Sequence, residues 1–110
     1  MPRRSTPTTL FGRRLRAARS RAGLAQDKLG VIIGMDEGSS SARISRYETG
    51  VHEPPFDTAA HLATALRVPV AYFYCDDEQL ADFLIHYAAL GEGQKLQLLG
   101  LALELHSAGQ

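Results

Sequence analysis

From residue 10 onward apolar residues recur at three- and four-residue intervals, and no stretch alternates with the two-residue period of a strand. Phe11, Leu15 and Ala18 form one such stripe and predict a first helix over about Leu10–Arg21. Thr8 or Thr9 is placed to cap its free amides, and Gly23 suits the left-handed position that ends it. A second, short helix fits Gln26–Ile33, with Leu29, Ile32 and Ile33 on its buried side and Gly34 as its stop. Ala25 stands where a Ser or Thr cap would be sought. A third helix covers about Ser40–Glu48 before Gly50; Ile44 and Tyr47 are its apolar contacts, and Ala42 is small enough for a close approach.

Pro54-Pro55 fixes the lead into a fourth helix, because proline is tolerated in a first helical turn. Phe56, Ala59, Ala60, Leu62, Ala63 and Leu66 make that helix strongly apolar and central. Pro69 permits a short fifth helix through Val70, Phe73 and Tyr74. Asp76-Asp77-Glu78 favours the positive end of a sixth, which carries Leu80, Phe83, Leu84 and Tyr87. Gly91 and Gly93 break the chain before a seventh helix over about Gln94–Leu105. Its leucines fall on two adjacent stripes, Leu96, Leu99 and Leu103, then Leu98, Leu101 and Leu105. The prediction is an all-α fold in a chain of 110 residues, the length of one domain. It divides into a flexible basic arm at 1–8, a five-helix unit at 9–75 and a two-helix extension at 76–110.

Charge changes the picture more than composition does. The formal net charge is zero, yet residues 1–50 carry ten Lys/Arg against four Asp/Glu, and residues 51–110 carry two against eight. Such a split predicts a polyanion-facing first half and a different task for the second. Cys75 is the only cysteine, so no intramolecular disulfide forms. The N-terminus lacks the apolar segment of a secretory signal, and no run approaches the roughly 18 apolar residues of a membrane span. A soluble, cytoplasmic protein is expected.

Two short helices joined by a turn, after an Arg-rich helix, suggest a helix-turn-helix, in which the second of the pair enters the DNA major groove. The residues that carry a closer likeness are Gly12, Leu15, Arg16 and Arg19, then Gly23-Leu24, Gln26, Leu29 and Gly34. It continues through Ile44-Ser45-Arg46-Tyr47-Glu48, Gly50, Pro54, Leu62-Ala63, Leu66, Val68 and Phe73. Over residues 10–74 the chain resembles the phage lambda repressor/Cro-like, or Xre-type, transcriptional regulators. That resemblance implies a five-helix lambda-repressor-like DNA-binding domain with the two-helix extension added. It implies that Gln26 touches the DNA backbone and braces the third helix, and that Ser41, Ala42 and Arg43 make base contacts. Ser45 and Arg46 face the groove wall or phosphates, while Glu48 and Gly50 are structural.

Side-chain chemistry supports those roles. An arginine fork can hold guanine O6 and N7 together, which gives Arg43 a base-reading role, with a plain phosphate contact as the alternative. Ser40 and Ser41 can donate to phosphate, Arg46 reaches phosphate, and Arg14 on the first helix joins the DNA-binding set. One departure stands out. Gly34 and Ile44 lie ten residues apart, four more than the family pattern, and the extra residues fall within Asp36–Ser39. They either lengthen the turn or add a turn to the front of the third helix. Asp36 and Glu37 would then turn away from phosphate, interact with the helix N-terminus or pair with Arg43. Gly30 stands where the family carries a small alanine, at some cost in helix propensity.

No metal-ligand spacing links His52, His61, His86, His106 and Cys75, no base is positioned beside Ser39-Ser40-Ser41, and Gly91-Glu92-Gly93 lacks a phosphate-loop pattern. No metal, cofactor or enzyme activity is expected. In the acidic extension one leucine stripe can fold onto the fourth helix. The other is most simply covered by a second copy, through Leu80, Phe83, Leu84, Tyr87, Leu98, Leu101 and Leu105, although both could pack within one chain. The expected function is a homodimeric repressor or other regulator on a (pseudo)palindromic operator in double-stranded DNA. The alternative is an antitoxin-like or adaptor protein that grips a protein partner through the same helices.

Overall fold

The structure, a computed structural model, describes residues 6–109. Thr9 opens the first helix: its Oγ1 accepts the Gly12 amide at 3.0 Å. Six α-helices follow, α1 (Leu10–Ala22), α2 (Gln26–Ile32), α3 (Glu37–Thr49), α4 (Phe56–Leu66), α5 (Glu78–Ala88) and α6 (Glu92–Ala108). A 3-10 helix, Val70–Tyr74, lies between α4 and α5, and the described residues contain no strand. The all-α prediction therefore holds. No helix among the described residues is long and apolar enough to cross a membrane.

The core is assembled from one face of each of the first four helices and the 3-10 helix. Phe11, Leu15, Leu29, Ile44, Leu62 and Phe73 are its large members, with the Phe11 and Phe73 rings 4.9 Å apart. Each such side chain contributes about 1.5–3 kcal/mol by leaving water. Ala81 is the only residue of α5 buried in this core, with Leu84 and Ile85 partly covered beside it. The molecule is long, 55 × 26 × 24 Å, and its radius of gyration of 16.3 Å exceeds the roughly 13 Å of a compact chain this size. α6, the longest helix, buries no residue.

Several expectations change. The third helix starts at Glu37, not Ser40, so three of the four extra residues lengthen its front and Asp36 stands at its N-cap. The last helix starts at Glu92, where the Gln94 Oε1 accepts the Gly91 amide at 3.0 Å. Ile32 and Phe56 face solvent instead of the core, because α2 and α4 present Leu29 and Ala59, Leu62 and Leu66 inward. Neither leucine stripe of α6 folds onto α4; Leu96, Leu99, Leu101, Leu103 and Leu105 all remain exposed. Residues 1–5 of the expected arm lie outside the described residues, and Thr8 is tied down, its hydroxyl donating to the Thr49 carbonyl at 2.6 Å.

Candidate nucleic-acid interface

The geometry of α2 and α3 follows from two small residues. A Cβ built on Gly30 would stand 2.4 Å from the Cβ of Ser40, so the helices touch at a point where even alanine is too large. Gly30 therefore has a packing reason that outweighs its helix-propensity cost. The Met35 amide donates back to the Gly30 carbonyl at 2.9 Å and closes the turn. Ser40 is fully buried and its hydroxyl donates to the Asp27 carbonyl at 2.8 Å. The expected phosphate contact of Ser40 is thereby corrected: its side chain holds the two helices together and faces no solvent.

Ser40, Ile44, Tyr47 and Glu48 form the inward face of α3. At about 3.6 residues per turn, Ala42 and Arg46 then point away from the body, with Ser41 on one flank and Arg43 on the other. Ser41, Ala42, Arg43 and Arg46 are all exposed, and Ser45 is half-buried. The Thr49 hydroxyl donates to the Ser45 carbonyl at 3.0 Å and trims the helix end before Gly50, whose φ of 84° requires glycine.

Glu48 is the hub that fixes this face. It is fully buried, yet it accepts from Arg16 Nε at 3.0 Å, from Arg19 Nε at 2.5 Å and Nη2 at 3.1 Å, and from Gln26 Nε2 at 3.2 Å. Gln26 in turn accepts the Ser41 hydroxyl through Oε1 at 3.2 Å. One carboxylate thus ties α1, α2 and α3 together, and Gln26 carries the tie to the front of the exposed face. Burial alone would push the Glu48 carboxyl up, but the hydrogen bonds from Arg19, Arg16 and Gln26 outweigh it and hold the pKa below its ordinary value. Behind the hub, a Cβ on Gly12 would stand 2.1 Å from the Glu48 carbonyl oxygen, so α1 lies directly against α3.

The resemblance implied that Glu48 is structural and that Gln26 braces the third helix, but the partners of the carboxylate were visible only as a conflict. An acid in the last turn of a helix sits at the negative end of the dipole and needs a cation nearby. The Arg-rich first helix supplies two, Arg16 and Arg19. These arginines serve the fold, so the charge split overstates the positive surface left for a polyanion. Arg14 departs further from expectation. Its side chain is 6% exposed, its Nε donates to the Cys75 carbonyl at 2.9 Å and its Nη1 pairs with Glu78 at 3.0 Å. Arg14 belongs to the junction with α5, not to the exposed face of α3. Lys28, Arg43 and Arg46 are the exposed bases that remain on α2 and α3. Asp36 and Glu37 occupy the N-cap and first turn of α3, where acids are favoured, and no ion pair among the described residues joins them to Arg43.

The residues expected to bind a second copy divide. Leu80, Phe83, Leu101 and Leu105 are exposed, whereas Leu84, Tyr87 and Leu98 are half-buried. Tyr87 stacks on Phe83 at 6.3 Å and carries the Lys95 ammonium 5.2 Å over its ring. Phe83, Tyr87, Leu96, Leu98, Leu99 and Ala102 line an open groove of about 320 Å³ between α5 and α6.

Two short helices in tight contact at Gly30 and Ser40, with a braced and solvent-facing α3, define a helix-turn-helix protein. The model of the helix-turn-helix domain family matches residues 10–72, more than half of the chain, and the chain belongs to that family. Among solved structures, the crystal structure of the transcriptional regulator BswR is similar, with a TM-score of 0.84 and 41% sequence identity. The likeness covers 90% of this chain and 98% of that one, so it includes the α5–α6 region as well as the family domain. No curated protein matches.

Proposed function

We propose that this protein is a sequence-specific DNA-binding transcriptional regulator of the Xre type, acting as a homodimer on a (pseudo)palindromic operator. The observation that carries the reading is α3 itself: its inward face is locked by Glu48 and Ser40, while Ser41, Ala42, Arg43 and Arg46 stay free of the core. In this reading Arg43 reads a guanine, Arg46 reaches phosphate, Gln26 adds a backbone contact, and the Ser41 hydroxyl exchanges its Gln26 acceptor for a phosphate oxygen. Ala42 lets the helix approach the bases, and Ser45 lies along the groove wall.

The uncovered leucines of α5 and α6 supply the dimer contact. A two-fold contact lets one patch cover its own copy, and paired half-sites then lie about 34–36 Å apart or at multiples of that distance. The same exposed leucines also suit an adaptor that grips a different protein. Titrating a randomised duplex pool at two salt concentrations separates the two readings. A regulator gives an enriched sequence and affinity that falls steeply with salt. An adaptor gives no enrichment over the nonspecific background. Similarity to the regulator BswR over both regions of the chain favours the first. Acting from the cytoplasm, such a dimer would block or recruit polymerase.

A further inference from the structure

α1 holds two things at once. Gly12, Arg16 and Arg19 recur at i, i+4 and i+7 on one of its faces, and all three engage Glu48 and hence α3. Arg14 lies two residues from Gly12 and from Arg16. At about 100° per residue it points to the opposite face. There its fork joins two acceptors that both lie beyond the 3-10 helix, the Cys75 carbonyl at 2.9 Å and Glu78 at 3.0 Å, the first residue of α5. The guanidinium also stands 5.7 Å from the centre of the Tyr72 ring, which shields it on a third side. Its remaining nitrogen, Nη2, is buried without an acceptor among the described residues.

The apolar seat of α5 is small: Ala81 is buried, Leu84 and Ile85 are partly covered beside it, and α6 buries no residue. An arginine fork that satisfies two acceptors in one plane restrains angle as well as distance, which neither a lysine nor an apolar contact does. We propose that Arg14 is a positioning residue: with Glu78 it forms a latch that sets the angle between the α5–α6 arm and α3, and so sets the half-site spacing that a dimer accepts. The inference rests on the homodimeric DNA-binding reading given above. In such a dimer each α3 is rigidly tied to its α1, each α1 is latched to its arm, and the arms meet. An error in the latch angle is multiplied by the length of the arm before it reaches the DNA.

The test takes the half-site recovered from a random duplex pool and joins two copies at centre-to-centre separations changed one base pair at a time. Three full-length chains are compared: wild type, Arg14→Lys and Glu78→Gln. Glu78 is exposed, so its variant tests the latch even if Arg14→Lys fails to fold. Affinity for a single half-site is measured alongside, with sedimentation to give the oligomeric state. Wild type is expected to show one sharp optimum, losing at least about tenfold for a shift of one or two base pairs, because the second contact is lost when geometry forbids it. The variants are expected to bind a single half-site within about twofold of wild type and to flatten the optimum to about threefold or less across the same spacings. Variants that remain dimers and keep the sharp wild-type profile overturn the latch alone. Equal loss on every duplex, single half-site included, also overturns it, because that outcome marks a purely structural arginine. A wild type that sediments as a monomer on DNA overturns the dimer reading, and the latch inference falls with it.

Discussion

The two ends of this molecule solve opposite problems. Around α1, α2 and α3 the buried Glu48 and Ser40 side chains are paired, and the small residues Gly12, Gly30 and Ser40 bring backbones together. The α5–α6 arm does the reverse: it leaves five leucines of α6 in water and takes little from the core beyond Ala81. A surface that must present side chains within a fraction of an ångström needs its support built in. A surface that is to be covered later needs only a helix and an apolar face. Substitutions should therefore cost stability at one end and association at the other.

The largest effect is expected at the hub. Glu48→Ala leaves Arg16 and Arg19 without their shared acceptor and should lower unfolding free energy by about 3–5 kcal/mol in a denaturant titration. A loss below about 1 kcal/mol would mean that the network only decorates the core. Next comes the helix contact. Gly30→Ala forces α2 and α3 apart at Ser40 and should cost about 1–3 kcal/mol, with Ser40→Ala smaller because it removes only one hydrogen bond.

The pH dependence follows from Glu48. Its folded pKa lies below the ordinary value, so its stabilising contribution is complete above the unfolded carboxylate pKa and is lost as pH falls through the folded one. Thermal unfolding midpoints should drop in acid for wild type and drop less for Glu48→Gln. Identical acid profiles would remove Glu48 as the cause. The smallest stability effect belongs to the arm: Leu101→Ser should change unfolding free energy by about 0.5 kcal/mol or less in dilute protein. The same change should raise the dimer dissociation constant in sedimentation. An unchanged dimer would move the contact elsewhere on the surface.

The sequence made the helices legible because their stripes and stops are local. Phe11, Leu15 and Ala18 needed only spacing, and Gly23 and Gly50 needed only their position after a stripe. Arg14, Arg16 and Arg19 were harder, because a helical wheel separates faces but does not say what each face meets. Two of these arginines turned inward to Glu48 and one to Glu78, across 32, 29 and 64 residues of chain. Ser40 lost its expected phosphate contact, and Ala42 its expected close packing, for a related reason. The start of α3 at Glu37 leaves the register of Ile44 unchanged, but the close contact falls on Ser40 against Gly30, which no one-dimensional pattern reveals. The stretch Asp36–Ser39 was readable as extra length with turn and helix both open, since Gly38 and three nearby polar residues suit a loop equally well.

In the proposed function the exposed face of α3 reads base pairs. Equilibrium binding of wild type and Arg43→Ala to the selected duplex, and to its single-base-pair variants, measures that reading. Wild type should discriminate by about 1–3 kcal/mol at a position in each half-site where Arg43→Ala no longer does, with the other positions unchanged. Wild-type chain that binds every duplex alike, or an Arg43→Ala loss spread evenly over all positions, would contradict it.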